Sequence, residues 1–329
     1  MNVPPFQHRH AAHCESGVIS TLFTHHGATL SEAMAFGLAS ALSFAYLPFI
    51  KLSGLPLIAY RMPPQSIIKG VAKLFETPFR FETFRNADAG MRRLDALLGQ
   101  GKVVGLQTSV FWLPYFPEDM RFHFNAHNLL VYGKEGDDYL ISDPVFENPV
   151  RSPASELKRA RFAKGVLAPK GLLYYPEKLG HIEITPQAIR KAIKKTTRIM
   201  LSPIPIVGVR GIRMSARAVA RLNPSASHSV SFIGHIVRMQ EEIGTGGAGF
   251  RFLYAAFLQE AASIAHLPDL THLSGQLNEI GDVWREFALK AARMVKGRDA
   301  VAPKILAAAL LDLAEREREF IRSLKRAVA

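Results

Sequence analysis

The chain has 329 residues, 48% of them apolar and 21% charged, which is enough to bury more than one core, so two domains are expected. Its single cysteine excludes an intramolecular disulfide and a cysteine-rich metal site, and fits a reducing compartment such as the cytoplasm. The net charge of +13 is unevenly spread, with 19 basic and 15 acidic side chains in residues 1–180 against 22 and 13 in residues 181–329.

The opening MNVPPFQHRHAAHC has no apolar run behind a charged end and does not read as a signal peptide. Helical spacing runs from Glu15 to about Gly27 and restarts at Ser31, the expected N-cap. The most apolar stretch, Ala33 to Tyr60, is cut by Pro48, Lys51, Gly54 and Pro56. That leaves no run of roughly 18 apolar residues to cross a bilayer, so a buried helix followed by a strand is expected there and no transmembrane segment. LPLIAY and FRFETFR read as strands, DAGMRRLDALLGQG as a helix closed by glycine, and KVVGLQTSV as a strand. FNAHNLLVYG and DYLISDP read as a hairpin joined through KEGDD. After GLLYYPEKLGHIEIT the strand-like runs stop. From Pro186 the period is helical, punctuated at Pro203, Pro205, Pro224, Gly244 to Gly249, Pro268 and Pro303. The domain boundary is expected near residue 180.

Cys14 stands at the start of the first predicted helix, directly after His13. A thiol acts as a nucleophile only as thiolate, and the unpaired N–H groups of a helix start favour negative charge. It also needs a base, and of twelve histidines His127 is the one on a predicted strand with an acidic residue, Asp143, across a hairpin. With an odd-length turn centred on Glu135 or Gly136, His127 lies opposite Asp143 or diagonal to it on the same face. An even-length turn puts the two on opposite faces. Asp143 can then fix the imidazole tautomer and leave the other ring nitrogen to the thiol. On residue types alone the alternative stays open: Cys14 as a small packing residue, His127 as a core histidine and Asp143-Pro144 as a turn.

HCESGVISTLFTHHGATLSEAMAFGLASALSFAYLPF, the LPY at Leu113 to Tyr115, AHNLLVYGKEGDDYLISDP, GVRGIRM and GFRFLYAAFLQEAA together resemble the butirosin biosynthesis protein H family, over nearly the whole chain. The resemblance implies an α+β fold: a papain-like, cysteine-protease-type N-terminal domain (1–180), then an all-α C-terminal domain (181–329) of uncharacterised role. It implies an acyltransferase that takes an acyl or aminoacyl group from an acyl carrier protein thioester to an amine. Cys14, His127 and Asp143 match its proposed catalytic residues. A cysteine peptidase, amidase or thioester hydrolase with the same triad is the competing reading. The oxyanion hole of papain-type enzymes uses a glutamine shortly before the cysteine. Gln7 is the one upstream candidate, Gln107 and Tyr115 are its rivals, and the Cys14 backbone N–H is a further donor. No cofactor is expected in the protein itself; phosphopantetheine arrives on the carrier protein or as CoA.

His13, His25 and His26 lack the spacing and acidic neighbours of a metal site, so none is expected, and the glycines of GTGGAG read as a connection between helices. Between Glu183 and Glu241 lie ten Lys or Arg and no acidic residue. Arg210, Arg213, Arg217 and Arg221 fall on one helical stripe, which is either a solvated face or a docking surface for an acidic carrier protein. No nucleic-acid motif or aromatic interleaving accompanies the charge, so nucleic acid is not the expected partner. The sequence leaves the oligomeric state, a homodimer included, open.

Overall fold

A computed structural model describes residues 5–52, 54–179 and 182–329, which fall into two compact units: residues 1–35 with 67–183, and residues 36–66 with 184–329. Among the described residues no helix is long and apolar enough to cross a membrane. The division is not a single cut near 180, because residues 36–66 fold with the C-terminal helices.

The chain opens with α1 (Cys14–His25) and α2 (Glu32–Leu38), where the Ser31 hydroxyl accepts from Met34 N at 2.9 Å as expected of an N-cap. The helix expected beyond Ala33 stops at Leu38, and its continuation is instead the first arm of an antiparallel hairpin, β1 (Leu42–Leu52) with β2 (Leu55–Arg61). Its Phe, Tyr, Leu and Ile content suits a strand as well as a helix. This hairpin belongs to the second unit, so that unit is not composed of helices alone.

The first unit continues with α3 (Ser66–Leu74), β3 (Phe79–Glu82), α4 (Ala87–Gly99), β4 (Val104–Thr108), β5 (His127–Glu135), β6 (Asp138–Ser142), β7 (Val150–Pro153), α5 (Ala154–Arg161) and β8 (Leu173–Pro176). The strands form one antiparallel sheet in the order β3-β8-β4-β5-β6-β7. Leu94, Leu97 and Leu98 of α4 and Leu157 and Ala160 of α5 share a buried core with Val104, Leu106, Leu129, Val131, Ile141 and Leu173 of the sheet. Burial of this apolar surface is what holds the sheet together as a platform.

In the second unit the helices are α6 (Pro186–Met200), α7 (Gly208–Ala220), α8 (Ser227–Val237), α9 (Arg251–Ile264), α10 (Asp269–Val295) and α11 (Pro303–Ala327). Every proline and glycine interruption read from the sequence falls at or between helix ends, where a missing N–H or a positive φ does least damage. Trp284 is wholly buried, with its ring against Phe44, Tyr60 and Phe287.

Candidate active site

Cys14 is the first residue of α1 and is buried. The His13 side chain caps that helix, its Nδ1 accepting from Ser16 N at 3.3 Å. Among the described residues, no acceptor is bonded to the Cys14 N–H, one of the four donors a helix start leaves unpaired. The Glu32 carboxylate clamps the segment in front of the cysteine, accepting from Ala12 N at 2.9 Å, His13 N at 2.7 Å and the Ser16 hydroxyl at 3.0 Å. Burial raises the proton affinity of Glu32, and those three donors pull it back. The next residue, Glu15, is buried and reaches the other way. Its Oε1 accepts from Ile67 N at 2.8 Å and Ile68 N at 3.3 Å, satisfying the first turn of α3.

The hairpin brings the acid and the base together by a route different from the odd-length turn expected. The turn is two residues, Gly136 and Asp137, with Gly136 at φ +59° as a tight hairpin requires. Alone, that register would put His127 and Asp143 on opposite faces. A bulge at Tyr132 shifts the pairing by one, so that Leu130 faces Ser142 and Asp143 falls opposite Leu129, diagonal to His127 on the same face. His127 Nε2 lies 2.6 Å from Asp143 Oδ2. Cys14 lies near enough to the imidazole to raise its proton affinity, and with Nε2 held by Asp143 the Nδ1 side of the ring is the one left for the thiol.

Both members of the pair are nearly dry: Asp143 is 0% and His127 4% exposed. Burial opposes protonation of the imidazole. The charge of Asp143, its hydrogen bond and the contact with Cys14 outweigh that, and the His127 pKa is raised from 6.5 to about 10. Tyr115 donates its hydroxyl to Asp143 Oδ2 at 2.9 Å, and Val145 N donates to Oδ1 at 3.3 Å. The Phe116 ring meets the imidazole edge-on at 5.4 Å and packs against Phe146. These aromatic rings shield the pair from water and fix the imidazole plane.

Of the side chains expected near the oxyanion, Tyr115 is thus committed to Asp143, where it orients the carboxylate. Gln107 is committed too, its Nε2 donating to Asn125 O at 2.9 Å and Leu167 O at 3.2 Å. Gln7 is exposed beside His8, whose ring binds Ser142 Oγ at 2.7 Å and Phe146 O at 2.9 Å. His25 and His26 pack against each other, and burial lowers the pKa of both.

Gly17, one turn into α1, is the residue the sequence reading missed. A Cβ there would sit 2.6 Å from Ala11 Cβ and 2.7 Å from Pro144 Cβ, so the helix start and the residue after Asp143 touch only because the side chain is missing. A glycine inside a helical pattern was its signal, since glycine destabilises a helix unless close approach requires it. Gly105 makes room in the same way for the Tyr174 ring, whose hydroxyl donates to Asn128 Oδ1 at 3.0 Å, next to His127.

The arginine stripe divides. Arg213 is ion-paired with Glu315 of α11 at 2.6 Å, and Arg210 donates to Pro203 O at 2.7 Å. The Arg217 and Arg221 side chains are exposed and have no partner among the described residues.

Residues 13–144 match the family model described as butirosin biosynthesis protein H, N-terminal, and residues 155–324 match a domain of unknown function, DUF4872. None of the curated proteins compared with the chain matches it. Among solved structures, a Bacillus anthracis protein named for a C39-like peptidase is similar at 15% identity and a TM-score of 0.36, covering 55% of this chain and 96% of that one. The first family model spans the Cys14 helix, the His127 strand and Asp143, and the second spans the helices from α6 to α11 and just over half of the chain, so the chain belongs to the DUF4872 family, with an N-terminal stretch that matches the butirosin biosynthesis protein H N-terminal model.

Proposed function

We propose that the protein is a cysteine-dependent acyltransferase, taking an acyl or aminoacyl group from the phosphopantetheine thioester of an acyl carrier protein or of CoA to an amine. The observation that carries the chemistry is a buried imidazole with one nitrogen held at 2.6 Å by a buried carboxylate and a thiol at a helix start near enough to affect its proton affinity. The match of residues 13–144 to the butirosin biosynthesis protein H N-terminal model supports a biosynthetic acyl transfer over peptide cleavage. In the first half-reaction Cys14 reacts as the thiolate beside the protonated His127, and Sγ attacks the thioester carbonyl. The Cys14 N–H stabilises the oxyanion, and the carrier thiol leaves with the proton from His127. In the second, an amine attacks the acyl-Cys14 carbonyl, loses its proton to His127, and expels the thiol, which takes that proton back. Asp143 and Tyr115 keep the imidazole oriented throughout. Arg217 and Arg221 offer free positive charge to an acidic carrier.

Hydrolysis by the same residues would replace the amine with water in the second step, so the two readings separate on that step alone. Incubation with an acyl-pantetheine thioester should add the mass of the acyl group to the wild-type protein and not to Cys14→Ala. Added amine should then discharge the adduct as an amide faster than water does. Equal thioester turnover by wild type and Cys14→Ala would sink the cysteine mechanism, and discharge to free acid alone would make the protein a hydrolase.

A further inference from the structure

A cavity of about 670 Å³ opens in the first unit between the segment after β3 and the loop after α5, lined among others by Phe84, Arg85, Phe162, Lys164 and Lys170. No carboxylate lines it. Neighbouring cations of this unit are occupied: Arg80 by Glu177, Arg93 by Glu82, Lys158 by Asp88 and Arg159 by Glu156. The side chains of Arg85, Lys164 and Lys170 have no partner among the described residues. Three unpaired cations around one cavity repel each other unless an anion joins them, which makes the arrangement a place for a multiply charged oxyanion. The rings of Phe84 and Phe162 give it an apolar side.

The frame of the cavity is fixed. Arg161, fully buried, donates to Gly90 O and Gly171 O at 2.9 Å each, and Phe84 N donates to Lys170 O at 2.9 Å. Leu167 and Lys170 hold positive φ, 58° and 53°, in the left-handed region that non-glycine residues seldom occupy. The same loop is tied to the strand end carrying His127. Asn125, two residues before His127, donates to Lys164 O at 3.2 Å and Val166 O at 2.9 Å, and Gln107 reaches Leu167 O. The loop that lines the cavity is therefore hydrogen-bonded to the segment that leads into the His127 strand.

We infer that this cavity holds the phosphate of the donor's pantetheine arm, while the thioester end of the arm extends to Cys14. The inference rests on the acyl-transfer reading for the identity of the phosphate, and the test is arranged so that the two can fail separately. Isothermal titration calorimetry with 4′-phosphopantetheine, CoA and pantetheine compares ligands that differ in phosphate. The wild-type protein should bind the phosphorylated ligands about tenfold or more tightly than pantetheine, as charge-assisted hydrogen bonds to phosphate would give. Arg85→Ala with Lys164→Ala should remove that difference. Lys73→Ala with Lys178→Ala, which removes the same charge elsewhere in the unit, should keep it. The ratio of CoA to 4′-phosphopantetheine affinity then tells a nucleotide-bearing donor from a carrier-borne one. Equal binding of pantetheine and 4′-phosphopantetheine by the wild type, or an unchanged preference in the Arg85→Ala, Lys164→Ala protein, overturns the site. Acyl adduct formation from a pantetheine thioester is read in parallel: an adduct without phosphate preference leaves the cysteine chemistry standing alone, and a preference without adduct leaves the phosphate site standing alone.

Discussion

Two carboxylates of this chain are wholly buried against a cationic side chain, Asp143 against His127 in the first unit and Glu317 against Arg251 in the second. The geometries are close, 2.6 Å and 2.7 Å. What differs is the company each pair keeps. Glu317 Oε1 also accepts from Trp284 Nε1 at 2.9 Å, and Arg251 donates to Gly249 O at 2.7 Å with its guanidinium near the Tyr60 and Trp284 rings. Its partners come from α9, α10, α11 and β2, so the pair ties elements together. The Asp143 pair lies near Cys14, a group that can gain or lose a proton and form a bond. A buried ion pair is weak evidence of function by itself; a thiol near the imidazole, in the place the proposed mechanism gives a nucleophile, is the feature that separates the two.

The comparison can be broken most directly at the base. His127→Ala should slow alkylation of Cys14 by iodoacetamide near neutral pH, and acyl transfer with it, by roughly 10²–10⁴-fold while leaving the second unit folded. Mass-spectrometric labelling rates read this, and unchanged rates would reduce His127 to a packing residue. Glu317→Gln should do the converse. Losing one side of a buried pair costs about 3–5 kcal/mol, so the urea midpoint should drop while alkylation of the folded fraction keeps its rate. Arg251→Met combined with Glu317→Leu should cost less than either single change, because neither charge is then left alone.

The pH dependence sharpens the contrast further. His127 binds its proton more tightly in the folded chain, with the pKa raised from 6.5 to about 10 against the opposing effect of burial. The stabilisation is therefore complete below about pH 6.5 and fades as pH rises through about 10. The stability difference between wild type and His127→Gln, measured by urea unfolding at pH 6, 8 and 10, should shrink along that series, and a difference that grows would contradict the pairing. The smallest effect belongs to the exposed charges: Arg217→Glu with Arg221→Glu should raise KM for a carrier-bound donor by roughly two- to tenfold and leave a small thioester unaffected. The increase should shrink at high salt.

Much of the site was legible because its chemistry is sparse in the sequence. A lone cysteine, one histidine in a strand pattern and one aspartate past the following turn leave few ways to combine. The fold of the second half was legible from Pro203 to Pro303, since proline and glycine act through local backbone geometry. The rest depends on contacts between distant residues. Arg213 meets Glu315 across 102 positions, so a stripe that looks free on a helical wheel is half engaged in the fold. Glu32 gripping the backbone before Cys14, and Glu15 capping α3, are likewise pairings of an acid with main-chain N–H groups that no spacing rule reveals. The stretch from Leu42 to Leu52 misled for another reason: β-branched, aromatic and leucine residues without clear alternation suit either a buried helix or a strand.

The bulge at Tyr132 carries a consequence for how this hairpin can vary among related chains. Adding or removing one residue between His127 and Asp143 would rotate the carboxylate to the far side of the sheet, whereas adding or removing two would lengthen or shorten the arms and restore its aim. Insertions and deletions here should therefore come in even numbers, or in single steps accompanied by the gain or loss of a bulge. Length parity, rather than the identity of the intervening side chains, is what the register of this stretch demands.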